Sequence, residues 1–172
     1  PDPDGGAAPR RSLRSLSKTS LGFEIVSLAF NRSDESQILV VGFKSVAVLS
    51  LGQRGEVVAR LSIELLLEST VHVIKATWLP GSATKCVVLT SQSVKIYDLS
   101  KDKISPTHYF HTLDDSIKDV AFAPSGAAAD GLVLLAMCAS GLIYTQPVAS
   151  VVAPASSGPT VLAEPLRVPS EL

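Results

Sequence analysis

The chain has 172 residues, 46% of them apolar and 5% aromatic, with a formal net charge of −1. So neutral a balance offers no general attraction to nucleic acid or to anionic membranes, and no apolar run reaches the roughly 18 residues that cross a bilayer as a helix. The two cysteines, Cys86 and Cys138, are too few for a disulfide scaffold and point to a reducing, cytoplasmic setting.

Residues 1–20 are rich in Gly, Pro, Ser and Arg and have little to bury, so they read as a disordered basic leader. Arg10, Arg11, Arg14 and Lys18 supply its charge, and Arg14-Ser15-Leu16-Ser17 places an arginine three residues ahead of a serine, as a kinase-recognised tail would. A solvated linker explains the same composition. The opening Pro1, with no signal-peptide core behind it, leads us to expect a piece of a longer cytoplasmic protein.

From residue 21 short β-type runs alternate with turn residues. A first set occupies residues 23–30, 37–43, 45–51 and 57–63; a second, residues 73–79, 86–90, 93–99 and 107–113; a third, residues 117–123, 132–138 and 142–146. The fourth run of the third set is either missing or lies in the weak segment 160–163. Pro80-Gly81-Ser82 and Pro124-Ser125-Gly126 follow the first run of the second and third sets, and Asn31-Arg32-Ser33-Asp34 takes that place in the first. Pro and Gly supply the φ angles such turns need, and Asn and Asp can bond their own backbone. Residues 63–68 contain good helix formers but are too short to stand as a helix, so they read as the connection between sets.

The sets repeat. Lys44-Ser45-Val46-Ala47-Val48 returns as Gln92-Ser93-Val94-Lys95-Ile96, an offset of 48, and Ile25 to Phe30 returns as Val73 to Trp78. A period of about 40 to 50 residues built from short strands is the signature of β-propeller blades. The second run of each set is nearly continuous aliphatic, as in Ile38-Leu39-Val40-Val41, which requires cover on both faces. The fourth runs carry Arg60, His108 and His111, with Glu64 just beyond the first of them, as outer edge strands should. The predicted fold is therefore all-β, a partial propeller of about three WD-like blades over residues 23–63, 73–113 and 117–150. An Ala/Pro-rich tail or loop follows over residues 151–172. Three blades do not close a ring of the usual four to eight, so the remaining blades must come from elsewhere in a longer chain.

Residues able to carry chemistry are few. The sequence lacks a Gly-rich phosphate loop, a nucleophile elbow and a zincin motif. His108 and His111 form the one possible ligand pair, but an odd separation puts them on opposite faces of a strand. His72 reads as a loop histidine. Asp114 and Asp115 are a local acidic pair in an inter-strand turn, where both should be solvated. Asn31-Arg32-Ser33 matches a glycosylation acceptor without an export signal. Cys86 and Cys138 read as small buried hydrophobes on second strands. Phe30, Trp78 and Phe122 recur with the period and read as equivalent plugs between blades. Tyr97-Asp98 stands where WD repeats carry Trp-Asp, the aromatic packing on the next blade and the Asp receiving amides of the following turn. An enzyme using a polar channel would have to build it from Glu24, Ser27, Lys75, Thr77, Lys118 and Asp119 on the innermost strands. No catalytic, cofactor or metal residue is assigned.

Several stretches carry a family resemblance: Phe23 through Asn31, Ile74-Lys75-Ala76-Thr77-Trp78-Leu79-Pro80-Gly81-Ser82, Val94-Lys95-Ile96-Tyr97-Asp98-Leu99-Ser100, and Ile104 through Phe110. Residues 23 to about 148 resemble the WD-like propeller segment of the calossin/Pushover/BIG family, very large UBR-box E3 ubiquitin ligases. The run Gly55 through Leu61 leans toward the plant branch, associated with auxin transport. The resemblance implies a non-catalytic propeller scaffold within such a ligase, with protein substrates or partners and with zinc held by other domains. The Ala-rich insert 126–130 and the tail depart from the family pattern. The alternative is a freestanding WD-like adaptor, with two copies of the chain completing a ring.

Overall fold

A computed structural model describes residues 17–125, 131–148 and 160–162. Most of the basic leader, the insert 126–130 and most of the tail lie outside these residues. Among the described residues there is no helix. Among the described residues twelve strands form three sheets, the first eleven strands in chain order and the twelfth returning to the second sheet.

The first sheet is an antiparallel meander of β1 (Ser27–Phe30), β2 (Gln37–Val41), β3 (Val46–Leu51) and β4 (Val57–Ile63). The second repeats it with β5 (Val73–Trp78), β6 (Lys85–Thr90), β7 (Val94–Asp98) and β8 (His108–His111). The third has β9 (Ile117–Pro124), β10 (Leu132–Cys138) and β11 (Ile143–Val148). The strands β1, β5 and β9 lie side by side, and β2 packs on β5 as β6 packs on β9. This is an arc of three blades with first strands innermost, as the repeat predicts.

Period-2 alternation explains the stacking. On the first sheet Leu39, Val41, Val46 and Val48 face the second, where Ala76, Trp78, Cys86, Val88 and Tyr97 meet them. On the second sheet Val87, Leu89, Val94 and Ile96 point the other way, toward Val120, Leu134 and Ala136 of the third. The middle strands are thus aliphatic on both faces because each is covered twice. Each fully buried Val or Leu contributes about 1.5–3 kcal/mol, so the seams carry most of the stabilisation.

Two inner strands share a defect. Pairing of β5 with β6 shifts register between Val73 and Lys75, and pairing of β9 with β10 shifts between Met137 and Cys138. Each shift is a bulge, which leaves one residue unpaired and bends the strand. The extra residues are Ile74 and Lys118, both exposed. The bulge lets residues three apart, Val73 with Ala76 and Ile117 with Val120, bury on one face.

Three expectations need correction. The first run opens at Ser27, not Phe23, because the chain at 21–23 folds over the sheet, where Leu21 and Phe23 pack on Ile38, Val40 and Leu49. A Cβ on Gly42 would lie 2.6 Å from the Glu24 carbonyl oxygen, so the close crossing there demands glycine. The segment at 160–163 does not complete the third sheet either. Its strand β12 (Thr160–Val161) runs parallel to β8, the outer edge of the second sheet. Finally, Tyr97 packs against the preceding sheet rather than the next. Its position on β7 puts its side chain on the same face as Cys86, its partner across the ladder.

The connection after β4 is irregular and non-helical, as expected. Leu65 is buried there, and Leu66 takes a left-handed φ of 47° that exposes its side chain.

Candidate functional site

The polar groups are best understood from the seams outward. Asn31 is 1% exposed. Its side-chain amide donates to the Ala83 carbonyl, in the turn between β5 and β6, at 3.0 Å, and its Oδ1 accepts the Ser33 amide at 2.8 Å and the Asp34 amide at 3.2 Å. Asn31 therefore clasps two blades and is closed to a glycosyl group in this fold. Trp78 Nε1–H donates to the Ala29 carbonyl at 3.0 Å across the same seam, and the Val73 amide donates to the Phe43 carbonyl at 2.7 Å.

The Tyr97-Asp98 position behaves as expected on its acidic side. Asp98 is 5% exposed, and its Oδ1 accepts the Ser100 hydroxyl at 2.6 Å, the Ser100 amide at 3.2 Å and the Thr84 hydroxyl at 3.3 Å. Desolvation works to raise its carboxyl pKa, but the Ser100 bonds, the charge of Lys85 and the Thr84 hydroxyl outweigh it and hold the group below the usual carboxylate range. These partners tie the turn after β7 to the hairpin before β6, which is a structural role.

The innermost strands bring Lys75 and Asp119 together. Lys75 Nζ lies 2.7 Å from Asp119 Oδ1, with both side chains roughly half exposed. Desolvation opposes ionisation of Asp119, yet Lys75 and the Val120 amide keep its pKa lowered. The two residues hold equivalent register on consecutive inner strands, one place past each bulge, so the pair links neighbouring blades. Lys118, by contrast, is the bulge residue and points to solvent. Lys75 and Lys118 recur near the same register in the sequence, where a solvated rim accounts for both; the bulge makes Asp119 the equivalent of Lys75 instead. Glu24 and Ser27 are exposed and Thr77 is half-buried, and none joins this pair.

On β8, His108 stacks with Phe110 at 6.0 Å and Tyr109 tilts against His111 at 5.9 Å. These contacts two apart confirm that the histidines occupy opposite faces. Burial, reinforced by Lys85, lowers the pKa of His108; His111 Nδ1 is buried with no hydrogen-bond partner among the described residues. His72 is exposed and ties to Ser91 through its backbone. Among the described residues no three His, Cys, Asp or Glu side chains are grouped to hold a metal ion.

The acidic pair divides. Asp114 is exposed, whereas Asp115 accepts the Ser140 hydroxyl and the Ser116 amide, the latter at 2.7 Å. The Ser140 bond is the main reason its pKa is lowered. Asp115 thus joins the turn before β9 to the turn after β10 while its carboxylate stays open to solvent. Cys86 and Cys138 are both buried and free. Burial pushes the Cys86 thiol up to about 12, and burial together with Asp115 takes Cys138 to about 11, so neither is a ready nucleophile.

The aromatic plugs differ from one another. Trp78 is buried in the first seam and Phe122 packs partly into the second, but Phe30 is 62% exposed. Among the described residues the seams are buried, while the apolar side chains around Leu28 and Phe30 are largely exposed.

The fold defines a protein of repeated antiparallel β-sheets stacked through apolar seams. No family model matches the chain. Curated relatives do. The chain is 38% identical over 159 residues, 91% of its length, to a probable E3 ubiquitin-protein ligase of Dictyostelium discoideum. It is 43% identical over 142 residues, 83% of its length, to the auxin transport protein BIG of Oryza sativa subsp. japonica. It is 37% identical over 136 residues, 78% of its length, to the protein purity of essence of Drosophila pseudoobscura pseudoobscura. The chain belongs to the BIG/calossin family and spans only 2–3% of the length of these relatives.

Proposed function

We propose that these blades are a non-catalytic scaffold within a giant BIG-like E3 ubiquitin ligase, serving to place protein partners or substrates for ubiquitin transfer. One observation carries the reading: 91% of the chain aligns with a relative named as a probable E3 ligase. The geometry agrees with it. The buried polar residues described above hold turns and seams, and neither thiol is primed for attack.

In this reading ubiquitin transfer, degron recognition and zinc belong to other parts of the longer protein, which works in the cytoplasm. The auxin-transport name of the rice relative fits a plant branch of the same scaffold. The test is deletion of residues 21–148 from the full-length ligase, followed by comparison of co-purifying proteins and substrate ubiquitination. Loss of a defined set of partners is expected. Identical partners and identical turnover would remove the interaction role.

A further inference from the structure

The repeat makes one face of the arc directly comparable with two others. In the first sheet Leu28 pairs with Val40 and Phe30 with Ile38. The same places in the second sheet are Ala76 with Val88 and Trp78 with Cys86, and in the third Val120 with Ala136 and Phe122 with Leu134. The second and third sets lie against the sheet before them, Ala76 being 4% exposed, Trp78 6% and Val120 3%. The first set has no described sheet before it. Leu21 and Phe23 roof Ile38, Val40 and Leu49, but Leu28 is 58% and Phe30 62% exposed. Side chains that are buried or partly buried plugs at two repeats are largely exposed at the first.

We infer that this face, centred on Leu28 and Phe30, seats a further β-sheet blade supplied by the same, longer polypeptide. This rests on the ligase reading only for the source of the blade. What covers the equivalent positions defines the chemistry of the occupant. In both seams it is a second and third strand presenting alternate branched aliphatics: Leu39, Val41, Val46 and Val48 in one, Val87, Leu89, Val94 and Ile96 in the other. Continuity with these two interfaces predicts the same face on the incoming blade. The relatives carry this segment as 2–3% of their length, so ample chain exists to provide it.

A second copy of this chain is the competing source, through the outer face of its third sheet. That face is a poorer match. Cross-strand register puts Thr145 opposite Leu135, where Ile96 stands opposite Val87 and Val48 opposite Leu39. A hydroxyl at the centre of the contact would need a partner that an aliphatic face does not offer.

The experiment places the photo-crosslinker p-benzoylphenylalanine at Phe30 in the full-length protein, with Val58 on β4, 61% exposed, as the control position. Irradiation at Phe30 is expected to give an intrachain cross-link to a Val/Leu/Ile-alternating segment outside these 172 residues, absent from the Val58 control. Cross-links to residues 132–148 of another copy, cross-links to a different protein, or no cross-link would each overturn the inference. A second readout guards against a perturbed fold: Phe30→Cys should react with maleimide at least ~10-fold more slowly than Val58→Cys in the full-length protein, because only local opening would expose it. Equal rates overturn it as well. Loss of partners on deletion alongside a failed cross-link would leave the scaffold reading standing and remove this one.

Discussion

Trp78 closes a seam in two ways, by filling it and by donating its indole N–H to the Ala29 carbonyl of the neighbouring blade. Trp78→Phe keeps an aromatic plug but removes the donor and part of the volume, and we expect a loss of about 1–3 kcal/mol, read from the urea midpoint by circular dichroism. Asp98 works through charge. Its carboxyl is held below the usual range, so its contribution is complete above the unfolded-state pKa of about 3.9 and is lost as pH falls through the lower folded value. Asp98→Asn should therefore be less stable than the parent by about 1–3 kcal/mol at neutral pH. Urea titrations between neutral and strongly acidic pH should show the gap closing below the unfolded pKa. A gap independent of pH would mean that the carboxylate charge does not matter.

The element scale separates what could be read from the sequence from what could not. Among the described residues β1 to β11 fall on the expected runs because alternation and turn residues agree, with the 48-residue offset joining them in the first two sheets. Bulges were not legible: Ile74 and Lys118 look like ordinary strand residues, and only cross-strand pairing reveals them as extra. The extra residue puts Asp119, not Lys118, in the register place of Lys75. The clasp by Asn31 was hidden as well, since its partner Ala83 is a backbone carbonyl 52 residues away. The destination of β12 depended on tertiary contact alone. Its Leu162 is 4% exposed in the second seam, and the Leu162 amide donates to the His111 carbonyl at 2.8 Å. Leu162→Asp should release this strand without unfolding the blades. Hydrogen exchange is then expected to speed up at Leu162 by ~10-fold or more while Val87–Leu89 stay protected, as a locally opening unit would behave. Equal acceleration in β6 would show that β12 is integral to the core.

For the whole molecule the arrangement of faces sets solution behaviour. Stacked blades hide aliphatic strands only where a neighbour is present, and Leu28 and Phe30 have none among the described residues. Contiguous exposed apolar surface of this kind promotes association. The isolated chain is therefore expected to self-associate, its apparent mass in light scattering rising with concentration. Replacing Leu28 and Phe30 with lysine should suppress that rise, because charges on an exposed face oppose sheet-to-sheet contact. The same double variant should alter stability by no more than about 0.5 kcal/mol, since both side chains are largely in water already. In the full-length protein the cost should be far larger, because there the lysines would be buried against an aliphatic sheet. The contrast separates a face that is simply exposed from one built to be covered. A double variant equally harmless in both contexts would place Leu28 and Phe30 on a true outer surface, and the arc would then end at its first sheet.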